Sequence, residues 1–310
     1  MKLIELLQKF NVAVDTDNTF QRRARLLQSV WRETKRLPAG ERSPGVPLGS
    51  RLPLTFAKAE LANFLTPNIQ RSVRDCIDAK AAGSGQLVDE DRLYANLLSS
   101  QPLCFNLFGE LQSDLKLASL VCAGLWPGRV RTVTGIRFEH SPGRSDSAYT
   151  GDRSAFDVFI EHTLPQSDGR SFIGLEVKYH ENLKVAGADF RPRYDEVARS
   201  MGCFHEAKLE ALRASPLEQI WRDHLLAGSM LSTGQWTSGL YVFLYPESNA
   251  HCERAATAYA DSLTSCETFQ ALTLERFVHE VERCTDAAWV SELRARYLGW
   301  DRIDTLLSTG

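Results

Sequence analysis

The chain has 310 residues, 43% hydrophobic and 24% charged, with a formal net charge of −3. That composition is ordinary for a globular protein, is long enough to bury a sizeable core, and excludes a disordered or collagen-like chain. Its apolar runs fall short of the ~20 residues needed to span a bilayer, and its first ten residues make a poor signal peptide; a cytoplasmic protein without membrane contact is expected.

Seven widely spaced cysteines without a CxxC pair predict buried thiols rather than a disulfide framework or a zinc site. The charge is uneven. Residues 1–74 carry 13 Lys/Arg against 6 Asp/Glu, a net of +7, which leaves −10 for the remainder. A basic quarter joined to an acidic remainder suits a protein that meets a polyanion with one part and a metal ion with another, and solvated basic helix faces give the same pattern.

In chain order, residues 20–36 predict a helix. Phe20, Ala24, Leu27 and Trp31 share one face, with Arg22, Arg23, Arg25, Arg32, Lys35 and Arg36 mostly elsewhere. Residues 37–53, with four prolines and three glycines, predict a loop without regular structure. Short helices are expected around 68–81 and 89–98. Residues 105–125 predict one long helix that Pro127 and Gly128 end, and 130–138 alternate as a strand should. Two apolar strands follow, within 154–181, joined by a polar turn. Helices are then expected over 194–214 and 216–230, a buried strand over 239–245, a helix over 253–263, a short strand near 271–274, and helices over 274–284 and, last, 289–298. From residue 105 the order helix, strand, strand, strand, helix, strand predicts an α/β or α+β sandwich on one mixed sheet. Residues 1–101 read as a basic helical extension and 102–310 as the domain that carries the chemistry.

The two apolar strands hold the charged residues that matter most. In the second, Ile173, Leu175, Val177 and Tyr179 lie on one face, with Phe172, Gly174, Glu176, Lys178 and His180 on the other. Glu176 and Lys178 are then about 7 Å apart along the strand, two steps of ~3.3 Å. In the first, Phe156, Val158 and Ile160 share a face opposite Asp157, Phe159 and Glu161. A hairpin that brings Asp157 beside Glu176 converges two carboxylates, hard oxygen ligands suited to Mg²⁺ or Mn²⁺. Lys178 beside them could stabilise the charge that develops on a phosphate under attack. An E-x-K pair also occurs as an ordinary strand salt bridge. What favours chemistry is that these charges interrupt strongly apolar strands, where an unpaired charge is expensive.

These segments, SAFDV (154–158) and GLEVKYHE (174–181), resemble the PD-(D/E)XK nuclease superfamily, whose fold is restriction-endonuclease-like. Over most of its length the chain is similar to a bacterial group within it, on the segments 22–33, 97–111, 138–144 and 172–183. The resemblance implies a mixed central sheet flanked by helices and a metal-dependent nuclease, foremost a DNA endonuclease. Asp157 and Glu176 become metal ligands, Lys178 the catalytic lysine and Mg²⁺ or Mn²⁺ the cofactor. Phe156 stands where the superfamily's name has proline. Members often add an acid from a preceding element; Glu139, at a strand end, is favoured over Glu110. Arg144, Arg153, Gln219 and Arg222 are candidates for contacting nucleic acid, each also readable as a solvated polar residue. His180 could relay a proton, though a lone histidine is more often structural, and Trp31 and Trp221 read as core. The rival reading is a nucleic-acid-binding module that kept the fold and lost the chemistry. The sequence leaves homodimerisation open.

Overall fold

A five-stranded mixed sheet lies at the centre of the computed structural model, which describes residues 2–83, 86–184 and 189–308. Ahead of it come α1 (Leu3–Lys9), α2 (Thr19–Thr34), a hairpin of β1 (Gly40–Ser43) and β2 (Val46–Leu48), α3 (Leu54–Glu60), α4 (Pro67–Ala81), α5 (Ser100–Ser113) and α6 (Leu115–Leu125). The sheet opens with β3 (Thr132–His140), β4 (Phe156–Leu164) and β5 (Ser167–Val177). After α7 (Pro192–Met201), α8 (Leu209–Leu212) and α9 (Glu218–Ser232) it resumes with β6 (Ser238–Tyr245), and with β7 (Phe269–Thr273) after α10 (Ala250–Ala260). Helices α11 (Leu274–Cys284), α12 (Ala288–Tyr297) and α13 (Trp300–Ser308) follow. Spatial order equals sequence order, β3-β4-β5-β6-β7; the first three strands are antiparallel, and β6 and β7 run parallel to β5. The expected α/β arrangement of a mixed sheet flanked by helices is present.

Strand alternation sorts the core. Val158, Ile160, Ile173, Leu175, Val177, Leu240, Val242 and Leu244 face a cluster built with α2, α4, α5, α6, α11 and α12. Phe159, Phe172, Tyr241 and Phe243 face a second cluster with α7, α9 and α10. Burying both faces is what makes β6 a continuous apolar run. Among the described residues, no helix is long and apolar enough to cross a membrane.

Four expectations are corrected. Residues 37–53 hold the β1–β2 hairpin, because Gly45 takes the positive φ of its turn and Pro47 sits in a two-stranded ribbon that tolerates a missing donor. The long helix over 105–125 is two: Asp114 leaves the helical region and its carboxylate caps Lys116 N and Leu117 N of α6, both at 3.0 Å. Helix α13 follows the helix expected to be last. Its Ile303 packs with Leu6, Leu7, Phe10, Leu26 and Leu27. Around 89–98 only one helical turn forms, Asp91–Ala95.

Phe156 does not share a face with Val158 and Ile160. It packs instead with Phe159 and Phe172 at ring separations of 6.0 and 6.4 Å. The alternation therefore breaks at Asp157. Gly174 makes this possible: a Cβ there would stand 2.5 Å from the Phe156 ring. Gly174→Ala should destabilise the fold by ~1–3 kcal/mol through overpacking, read as a lower denaturation midpoint, and should depress any activity that depends on Asp157. An unchanged midpoint would contradict this packing.

Candidate active site

Strand register brings the acids together. The β3–β4 ladder pairs Phe138 with Val158 and His140 with Phe156, so Glu139 lies opposite Asp157. The β4–β5 ladder ends on Val158 with Leu175, so Asp157 falls beside Glu176. Three carboxylates thus occupy adjacent positions across three strands. The backbone is distorted here. Glu139 has φ +50, a left-handed conformation that costs energy in a glutamate and collects at functional sites. Asp157 Oδ2 accepts from Val177 N at 2.8 Å, taking the place of a backbone acceptor.

These residues line one cavity of about 200 Å³ with Arg92, Gln101, Arg153, Lys178, Gln219, Arg222 and Asp223. Lys178 Nζ donates to Glu176 Oε1 and, at 2.9 Å, to Gln219 Oε1; Gln219 Nε2 donates to the same Glu176 oxygen at 2.6 Å. Burial by itself would lower the Lys178 pKa, but Glu176, Glu181 and Asp157 raise it above the ordinary value. These carboxylates therefore favour the ammonium form of Lys178, which suits it to stabilising negative charge. The acids also shift upward, which for them favours the neutral form. Burial, then the Glu176 charge, pushes Glu139 up to about 7 and raises Asp157 well above its usual range.

Seven of the eight candidate residues, Glu139, Asp157, Glu176, Lys178, Arg153, Gln219 and Arg222, meet in this cavity. Arg144 does not line it, though its charge reaches Glu139. Glu110 is elsewhere, where it accepts from Thr66 and Asn68 at the start of α4. His180 lies beyond the end of β5 and outside the cavity; its carbonyl accepts from Gln21 Nε2 at 2.9 Å. Trp31 and Trp221 are core residues.

The basic face of α2 is largely neutralised within the chain. Arg23 pairs with Asp304, Arg25 with Asp17, Lys35 with Glu292, and Arg32 donates to the carbonyls of Gly49 and Leu37.

Asp223 is the residue that sequence reasoning missed. It is buried, its Oδ2 has no partner, and burial with the Glu176 charge raises its pKa well above the usual range. Its signal was spacing: Gln219, Arg222 and Asp223 stand at i, i+3 and i+4 on α9, one polar stripe on an otherwise apolar helix. A second cavity, about 730 Å³, shares Leu87, Arg153, Ser154 and Arg222 with the first and adds Asp152 and Arg191.

A family model described as the PD-(D/E)XK nuclease superfamily matches residues 15–299. The chain belongs to that superfamily. No curated protein and no solved structure matches it. The five-stranded mixed sheet with its flanking helices is the restriction-endonuclease-like fold of these nucleases, which generally use divalent ions such as Mg²⁺ or Mn²⁺.

The carboxylates of this cavity fit such an ion in chemistry. They are hard oxygen donors, crowded and buried, and an unpartnered Asp223 oxygen faces the same cavity. Among the described residues, no three His, Cys, Asp or Glu side chains stand together as a ready metal cluster. Mg²⁺ generally takes one or two protein carboxylates, with water and substrate phosphate completing its shell. Asp157 and Glu176 would be the two.

The crowded acids give a pH prediction. Glu139 ordinarily titrates near 4.5 and here near 7, so the folded protein keeps a proton that the unfolded chain releases, and stability falls as pH rises through that window. Asp157 and Asp223 act in the same sense. Below about 6.5 the buried His140 and His224, held down at about 4 and about 3, oppose it. In EDTA the melting temperature should therefore drop as pH rises from about 6.5 through about 7, and saturating Mg²⁺ should reduce the drop. A rise over that interval would contradict the assignment.

Proposed function

We propose that this nuclease hydrolyses phosphodiester bonds within DNA, as a metal-dependent endonuclease. The observation that supports it most is the meeting of Glu139, Asp157 and Glu176 at one register position, with Lys178 bonded to Glu176 in the same cavity. An ion held by Asp157 and Glu176 would polarise the scissile phosphate and acidify an attacking water. Lys178 places its ammonium against the oxygens on which charge grows. Gln219 fixes the rotamers of both Lys178 and Glu176 by bonding to each. Glu139 and Asp223 are the remaining buried acids able to hold the water's proton. Arg153, Arg191 and Arg222 border the adjoining cavity and would grip phosphates on one side of the cut, as arginine forks do. The extension of residues 1–101 adds Arg92 and Gln101 to the wall, and through them would touch the same strand.

The test is a panel of circular and linear DNA and of RNA, each incubated with Mg²⁺, Mn²⁺ or EDTA. Circular DNA should be cut with either ion and stay intact in EDTA. Cutting confined to RNA, or to free ends, would contradict the endonuclease reading. No cutting of any substrate would favour a binding module on a nuclease fold.

A further inference from the structure

A cavity of about 500 Å³ lies where the start of α2 meets the start of α10 and Trp300, and it shares no lining residue with the catalytic cavity. That volume falls in the ~300–1,000 Å³ range of small-molecule sites. Two aromatic rings form one wall: Phe20 and Trp300 stand 5.8 Å apart at 59°, both half-buried, and the Trp300 Nε1 donor is buried without a partner. Arg23, His251 and Arg254 line it too, with the uncharged Asn18, Thr19, Ser248 and Ala250. Arg254 donates to His251 Nδ1 at 3.2 Å, and both also border a further cavity that holds Lys184. No carboxylate lines either space. Arg23 pairs with Asp304 at 2.6 Å. The helix end is not the anchor, because Asn249 Oδ1 already accepts from His251 N and Cys252 N.

Two rings beside the guanidinium of Arg254, which meets no carboxylate in this lining, suit a ligand with one π face and one anionic end. We propose that this cavity binds a nucleoside monophosphate, its base stacked against Phe20 and Trp300 and its phosphate at Arg254 and His251. The ligand is either a free mononucleotide or the terminal nucleotide of a strand. Its neighbours hold the segment that follows Lys178: Gln21 Nε2 donates to the His180 carbonyl, and Asn249 Nδ2 to the carbonyls of Tyr179 and Glu181, both at 3.0 Å. An occupant therefore sits beside the backbone that leads out of the catalytic strand.

The proposal does not depend on the nuclease reading, because binding is measured without cleavage. Full-length protein carrying Asp157→Asn is titrated by calorimetry with adenosine, inorganic phosphate, AMP, and single-stranded oligonucleotides with and without a 5′-phosphate. AMP should bind more tightly than adenosine or phosphate. Arg254→Glu should weaken it at least tenfold with an unchanged melting temperature, since Arg254 is exposed. Trp300→Leu should weaken it about tenfold through lost stacking. Binding of the phosphorylated oligonucleotide without AMP would assign the site to strand ends. Binding that ignores both substitutions, equal binding of phosphate and AMP, or no binding of any ligand would overturn the proposal.

Discussion

Lys178→Ala should lower the cleavage rate by about 10²–10³-fold, the loss of ~2.7–4 kcal/mol of transition-state stabilisation that follows removal of one aligned donor. The reason is the charge state of the lysine. Burial opposes its charge, yet Glu176, Glu181 and Asp157 hold the proton on. A residue kept as an ammonium ion contributes through its field, and deleting it leaves that field to the carboxylates, which repel the incoming phosphate. Lys178→Arg should recover little, because Gln219 and Glu176 clasp a compact ammonium in a cavity of about 200 Å³ that a planar guanidinium does not match. Single-turnover cleavage, at Mg²⁺ concentrations that keep the variant folded, reads the effect. A variant within a few-fold of wild type would remove Lys178 from the chemistry.

Arg296→Met should destabilise the protein by ~2–5 kcal/mol, the cost of leaving buried acceptors without their donor. Arg296 is fully buried, and among the described residues its bonds run to neutral oxygens: Asn63 O at 2.7 Å, Asn63 Oδ1, and Gln28 Oε1 at 3.1 Å. Its guanidinium lies 4.0 Å from the Trp31 ring centre and 4.7 Å from that of Tyr297. Burial lowers its pKa from the ordinary arginine value. This one side chain ties α12 to α2 and to the segment that leads into α4. Methionine fills part of the space but returns no donor to Asn63 Oδ1 or Gln28 Oε1. Urea unfolding measures the change; a loss under about 1 kcal/mol, the scale of a surface substitution, would mean that Arg296 is not a keystone of the fold.

The second catalytic strand was readable residue by residue. Ile173, Leu175 and Val177 alternate with Gly174 and Glu176 along β5, and that alternation alone assigns the two faces that the structure shows. The position of Glu139 opposite Asp157 was not readable, since register between strands depends on a loop of fifteen residues between β3 and β4 and on a strained backbone at Glu139. The turn of Phe156 away from Val158 was hidden for the same reason: it needs the missing side chain of Gly174, which lies on another strand. Asp223 was readable in principle from its spacing to Gln219. The β1–β2 hairpin was masked because proline and glycine signal loops and tight hairpins alike. Charge counts could not show that Arg23 of α2 pairs with Asp304, 281 residues away in sequence.

The most direct measurement of the central claim is relaxation of a supercoiled plasmid in Mn²⁺ by wild-type protein and by Asp157→Asn, side by side and at matched melting temperatures. Asp157 is the acid that both neighbouring strands bring to Glu139 and Glu176, and asparagine keeps its shape while removing its charge. The wild type should nick the plasmid, and the variant should leave it supercoiled. Equal nicking by both proteins would contradict the site described here.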